Sequence, residues 1–282
     1  VVKNLLKYAI ELAKERGVDF VVVISKDGVA EGEFDGVSVY SAPQSYAFML
    51  ESRISTTEGS LTLESQFSKG VEEGIESVSH LREYISQFMS LKGISGERAV
   101  VVLNLETVKG ILLLEVKESS LQKVLRECSD IVRPEVLKSV ISLAMALSQK
   151  GREGKKIGTA FVIGDVEGVL KRSKQLVINP FHGHAEDTRN VTNPETWESI
   201  MEFAQLDGVF VVNEKGIIVS AGTYIKFSRD VDVRSGLGGR HLACAAITKE
   251  TKSVAVVVSE SGGDITVYKG GKAILHIPSG AF

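Results

Sequence analysis

The sequence predicts an α/β chain of two domains. Apolar runs of buried-strand length, among them DFVVVIS (19–25), RAVVVLNL (98–105) and SVAVVVSE (253–260), are interspersed with segments of helical apolar spacing. The chain, at 282 residues, is long for one core and comfortable for two. A polar, glycine-rich break, GREGKKIG (151–158), follows an amphipathic helix in the middle of the chain and precedes a fresh apolar strand.

Taken in order, Val2, Leu5, Leu6, Ala9 and Ala13 recur at helical spacing, and Gly17 stops that helix. DFVVVIS reads as a buried strand. The turn-rich DGVAEGEFDG (27–36) follows, read as a hairpin in preference to a ligand loop, and VSVYSA (37–42) is a second strand. Residues 63–91 are polar with spaced apolar positions and read as a helix, although Gly70 and Gly74 interrupt it. RAVVVLNL and GILLLEVK (110–117) are strands joined by a short turn. A second amphipathic helix places Val136, Leu137, Val140, Ile141, Ala144 and Leu147 on one face, with Pro134 near its start. TAFVIGD (159–165) is a strand. GVFVVN (208–213) and GIIVSAGTYIKF (216–227) meet at the turn EKG as an antiparallel pair. Residues 240–252 read as a helix, SVAVVVSE as a central buried strand, and DITVYKGGKAILHI (264–277) as a hairpin over KGGK. The boundary is expected between residues 127 and 133, giving domains of 1–127 and 128–282, with no internal repeat or low-complexity tract.

A net charge of −3 provides no global positive field, so neither nucleic acid nor an anionic membrane is an expected partner. No apolar run approaches the roughly 18 residues of a membrane span. The N-terminal segment is an amphipathic helix and not a signal peptide, because charges interrupt its apolar residues. Cys128 and Cys244 form no CxxC or Cys/His cluster, and two thiols in a chain of this size fit a reducing compartment, the cytoplasm.

Four stretches carry groups that do chemistry. In RSGLGGRHLACAAIT (234–248), Gly238 and Gly239 let backbone N–H groups approach a ligand at the start of a helix; Arg240 adds a forked cationic donor and His241 a second donor. That combination suits phosphate, while a glycine loop capping a helix, with Arg240 in a surface ion pair, explains the same letters. No GxxxxGK[ST] occurs. In LDGVFVV (206–212), Asp207 and Gly208 make either a plain turn or a carboxylate at the lip of a buried strand, able to hold a divalent metal. In VVVSESGGD (256–264), Ser259 and Glu260 end an apolar strand, where α/β sheets present ligands, or cap a hairpin. In NPFHGHAED (179–187), His182 and His184 with nearby acids have the look of a metallohydrolase site; His80, His241 and His276 are scattered, so a structured loop is the alternative.

In this order the stretches resemble the diadenylate cyclase domain of the DisA type, which makes cyclic di-AMP. The similar residues are REGKKIG (152–158), DGV (207–209), GGRHLA (238–243) and VSESGGDI (258–265), and the likeness spans residues 134–282. NPFHGH resembles the archaeal branch, whose cyclase domain is C-terminal and follows a domain like the C-terminal domain of pyruvate kinase. The resemblance implies a mixed-sheet cyclase fold flanked by helices, preceded by an α/β domain with a regulatory or oligomerising role. It implies condensation of two ATP, each 3′-hydroxyl attacking the other's α-phosphate, in two pockets that face each other across a homo-oligomer. By the same resemblance, Asp207 binds a Mn²⁺ or Mg²⁺ ion that activates the hydroxyl, with Glu260 assisting. Gly208 admits the nucleotide, Gly238, Gly239, Arg240 and His241 hold phosphates, and Ser259 donates to them. The chain departs from the family pattern at Leu206, Val209 and Leu242, where the family often has His, Ala and Arg. Those departures motivate an alternative, a nucleotide-binding sensor without catalysis; a metal-dependent hydrolase built on His182 and His184 is the other.

Overall fold

The computed structural model describes residues 2–55, 63–151, 156–227 and 238–279, without the side chains of residues 2 and 53–77. Residues 152–155 of the REGKKIG stretch and 234–237 of the glycine loop lie outside the described residues. The chain divides into two units, Val1–Gln122 and Lys123–Ser279.

The first unit runs α1 (Val2–Arg16), β1 (Phe20–Ser25), β2 (Gly32–Phe34), β3 (Val37–Ser41), α2 (Gln44–Ser55), α3 (Leu63–Lys92), β4 (Arg98–Asn104) and β5 (Lys109–Glu115). Its described strands form a sheet in the order β2-β3-β1-β4-β5. β1 lies parallel to both β3 and β4, which is why Val21–Ile24 and Val100–Val102 are apolar at every position and fully buried. DGVAEGEFDG does form a hairpin, β2 to β3, with Phe34 opposite Val37. α4 (Ser120–Glu127) crosses the division and starts with a reciprocal cap: Ser119 Oγ accepts from Gln122 N–H and Ser119 N–H donates to Gln122 Oε1, each at 3.0 Å.

The second unit runs α5 (Pro134–Lys150), β6 (Thr159–Ile163), α6 (Val166–Lys171), β7 (Ser173–Gln175), α7 (Trp197–Phe203), β8 (Val209–Val212), β9 (Ile218–Ile225), α8 (Gly239–Glu250), β10 (Val254–Val258), β11 (Ile265–Lys269) and β12 (Lys272–Ile277). Short 3₁₀ turns at Asp187–Arg189 and Pro194–Thr196 precede α7. The described strands form a mixed sheet in the order β12-β11-β10-β6-β8-β9-β7, parallel between β6 and β8 and antiparallel elsewhere. α8 packs on one face, where Ala160, Val162, Ala255 and Val257 meet Ala243, Cys244 and Ile247. All six apolar residues placed on the face of α5 are buried, and Pro134 occupies its first turn. Among the described residues no helix is long and apolar enough to cross a membrane.

Strand direction assembles the site. β6 and β8 run together and β10 runs against β6, with Val258 opposite Thr159. The entrances of β6 and β8 and the exit of β10 therefore share one end of the sheet. Gly158, Asp207, Ser259 and Glu260 all fall there.

Candidate active site

Two separated segments converge on Arg240. The residue is in the first turn of α8, whose N-cap is Gly238. Its Nη2 lies 3.3 Å from Asp207 Oδ1 and its Nη1 3.4 Å from Glu260 Oε2. Both contacts are longer than the roughly 2.7–2.9 Å of a tight charge-assisted hydrogen bond. Both carboxylates are open to water, at 79% and 75% side-chain exposure, against 26% for Arg240. Exposed pairs of this kind are worth about 0–1 kcal/mol, so the guanidinium is held in place but can be recruited by a stronger anion. Its Nε is buried and has no hydrogen-bond partner among the described residues.

Each acid is aimed by a glycine. Gly208 has φ +97°, and a Cβ there would lie 2.6 Å from the Thr223 carbonyl oxygen, so the chain turns directly beneath Asp207 onto β8. Asp207 Oδ1 also accepts from Gly208 N–H at 2.9 Å. A Cβ at Gly158 would meet Glu260 Cβ at 2.7 Å, so the acid occupies the space a side chain would take. The loop bearing Glu260 is fastened behind it. Ser259 N–H donates to Asp264 O and Gly263 N–H to Ser259 O, each at 2.8 Å. Ser148 Oγ donates to Gly263 O at 2.5 Å, and Lys156 Nζ donates to Gly262 O. Ser259 Oγ lies 3.3 Å from Ser261 Oγ.

Gly238 and Gly239 are different. A Cβ at either would meet nothing within 4 Å, and neither has a left-handed φ. Among the described residues, packing does not ask for glycine at either position.

His241 does not lie open beside Arg240. Its ring is 4% exposed, with Nδ1 3.0 Å from Tyr268 Oη and the two rings edge-to-face. Burial first, then His276, pull its pKa below the usual histidine value, while Asp264 pushes it upward. Nε2 is buried without a partner among the described residues. Of the three departures, Leu206 and Leu242 are half-buried and Val209 is buried.

Asp207 and Glu260 offer hard oxygen ligands, and two carboxylates on one guanidinium leave a formal charge of −1. Among the described residues no cluster of three or more His, Cys, Asp or Glu could hold a metal. Two carboxylates with the remaining positions filled by phosphate and water is the usual habit of Mg²⁺, so the residues fit an ion that arrives with a nucleotide. His182 and His184 are exposed and belong to no such cluster.

Sequence reasoning named Asp207, Gly208, Gly238, Gly239, Arg240, His241, Ser259 and Glu260 as the site; the fold gathers Asp207, Arg240 and Glu260 and turns His241 inward. It did not single out Gly158, Lys156 or Tyr268. For the first two the signal was the KKIG at the end of the glycine-rich break; for Tyr268, inside a strand pattern, there was none.

Residues 146–273 match the family described as DisA bacterial checkpoint controller nucleotide-binding. Residues 4–117 match a family described as probable sensor domain DacZ_A. A diadenylate cyclase of Methanocaldococcus jannaschii is 40% identical over 178 residues, 63% of this chain and 54% of the relative. One of Haloferax volcanii is 40% identical over 150 residues, 53% of this chain and 55% of the relative. The chain thus spans about half the length of the curated relatives it matches. A solved double mutant of DacA from Staphylococcus aureus is 22% identical, with a TM-score of 0.38, covering 52% of this chain and 88% of that one. Residues 146–273 are therefore similar to the DisA nucleotide-binding family, and residues 4–117 to the DacZ_A sensor family.

Proposed function

We propose that the protein is a diadenylate cyclase, joining two ATP into cyclic di-AMP with release of two pyrophosphates. The observation that carries this reading is the meeting of Asp207, Glu260 and Arg240, from three segments, beside a glycine-lined helix start inside a DisA-family domain. The curated relatives named diadenylate cyclase support it.

In each half-reaction a 3′-oxygen bonds to the α-phosphorus of the other nucleotide, the bond from that phosphorus to the pyrophosphate oxygen breaks, and the hydroxyl proton passes to solvent. Little covalent chemistry falls to the protein; alignment and charge neutralisation are its work. Arg240 would exchange its two loose carboxylate contacts for phosphate oxygens. The N–H groups of Gly238 and Gly239, at the start of α8, would face the same anion. His241, turned into the core against Tyr268, would back the first turn of α8 and leave the phosphates to Arg240 and the glycines, and Ser259 Oγ would donate to them. Asp207 would orient the attacking hydroxyl, with Gly208 leaving room for the nucleotide. A Mn²⁺ or Mg²⁺ ion held on Asp207 and Glu260 would, when bound, neutralise phosphate charge and acidify the hydroxyl. One such site holds one nucleotide, so the reading requires a homo-oligomer with paired sites, working in the cytoplasm.

Incubation of the full chain with ATP and Mn²⁺, read by mass spectrometry, tests this: cyclic di-AMP is expected from the parent. Asp207→Asn, which keeps shape and loses charge, is expected to abolish product and retain ATP binding. ATP binding by the parent without product would establish the nucleotide sensor instead.

A further inference from the structure

Among the described residues, one edge of the first unit's sheet is left open. β5, seven residues long, is the last described strand there. Its register with β4 is unbroken from Asn104↔Lys109 to Arg98↔Glu115. At one end of that ladder Leu105 N–H donates to Val108 O at 2.9 Å, and at the other Val116 N–H donates to Glu97 O at 2.7 Å. Val108 and Val116 therefore bond toward β4, and since direction alternates along a strand, so do Gly110, Leu112 and Leu114. Lys109, Ile111, Leu113 and Glu115 turn their backbone N–H and C=O groups away from β4. An open row of such groups is a template for another strand.

Edges are ordinarily guarded by shortness, charge, proline or a bulge. The opposite edge is guarded in this way: β2 is three exposed residues, GEF, with an acid at its centre. β5 has none of these devices between its ends. Its middle is ILLL, with Ile111 and Leu112 half-buried and Leu113 39% exposed. Its charges are terminal and opposite, Lys109 and Glu115. Alternate residues share a face, so Lys109, Ile111, Leu113 and Glu115 form one stripe. Reversed, that stripe matches itself: Lys109 falls opposite Glu115, Ile111 opposite Leu113, and Leu112 meets Leu112 at the centre. The same register sets outward N–H groups against outward C=O groups. Centring the pair on Ile111 or Leu113 instead sets a charge opposite an apolar residue.

We infer that the first unit docks a second copy of this chain along β5, strand against strand and antiparallel, about a two-fold axis through Leu112. Charge complementarity picks the occupant, because the strand that answers Lys109 with an acid, Glu115 with a base and the residues between with apolar side chains is β5 itself. A two-fold contact makes each of these pairs twice and joins two five-stranded sheets into one. Only groups of the first unit take part, so the contact is independent of what the second unit catalyses.

Sedimentation velocity of the full chain, with hydrogen exchange resolved to single amides, is the test. The parent is expected to associate, with the outward amides of Ile111 and Leu113 as protected as the inward ones of Leu112 and Leu114. Lys109 is exposed, so Lys109→Glu is expected to melt with the parent. It sets like charges against each other at both ends of the seam and is expected to raise the dissociation constant about tenfold or more. Adding Glu115→Lys to that variant restores opposite charges and is expected to recover most of the loss. Leu113→Pro removes an N–H that no bond to β4 uses and is expected to abolish the contact. A parent that is monomeric at every concentration overturns the inference; if its Ile111 and Leu113 amides are protected all the same, another segment of the chain covers the edge. An association that neither Lys109→Glu nor Leu113→Pro weakens overturns it too, and places the contact on another face.

Discussion

Arg240 and His241 are neighbours in sequence and opposites in environment. One helical step turns the side chain by about 100°, so in the first turn of α8 only one of the pair can face outward. Arg240 takes the outward position and His241 goes into the core against Tyr268. Arg240→Ala should therefore weaken ATP binding by about ten- to a hundredfold, taking about 1.5–3 kcal/mol per hydrogen bond to a charged group, as read by calorimetric titration. His241 makes a different prediction. Its folded-state pKa is depressed, so the unfolded chain binds the proton more readily. The stability tied to the neutral ring is whole above the unfolded value, about pH 6.5, and is lost as pH falls through the folded one. Melting temperatures recorded from about pH 7 down to pH 5 should fall, and His241→Gln should flatten that fall. An unchanged slope would remove His241 as its source.

At the scale of elements, the site is a consequence of strand direction. β6 and β8 enter the sheet where β10 leaves it, and the loops at that end have no room except at glycine. Gly158→Ala would set a methyl 2.7 Å from Glu260 Cβ and push the acid off Arg240. The expected result is a higher Mn²⁺ concentration at half-maximal activity, with ATP affinity changed less than twofold. The strands that matter could be read in advance, because a buried strand such as VAVVV advertises itself by unbroken apolar character. β7 could not: SKQ carries no strand signal and is extended because β9 offers it a partner. α2 and α6 were equally silent, α6 being one turn and a half of VEGVLK started by the Asp165 cap. In the site, Asp207, Arg240 and Glu260 were legible as residue types at the mouths of elements. The inward turn of His241 was not, since it depends on the Tyr268 hydroxyl from a strand 27 residues away.

At the scale of the whole molecule, each unit completes its own sheet from its own strands, and every residue named in the candidate site belongs to the second. The first unit matches a family described as a probable sensor. Chemistry and folding of the second unit should then survive removal of the first. The cut belongs before α4, whose reciprocal Ser119–Gln122 cap closes the helix start locally and whose Leu121 and Val124 are buried, as is Cys128 just beyond it. A chain beginning at Ser119 is expected to unfold in one cooperative calorimetric transition. On the cyclase reading it is also expected to convert ATP to cyclic di-AMP within about an order of magnitude of the full-length rate, because aligning two nucleotides would fall to the second unit. A fragment that melts cooperatively but makes no product would show that the first unit completes the reaction by holding two copies in register. A fragment without a transition would show that the two units fold as one.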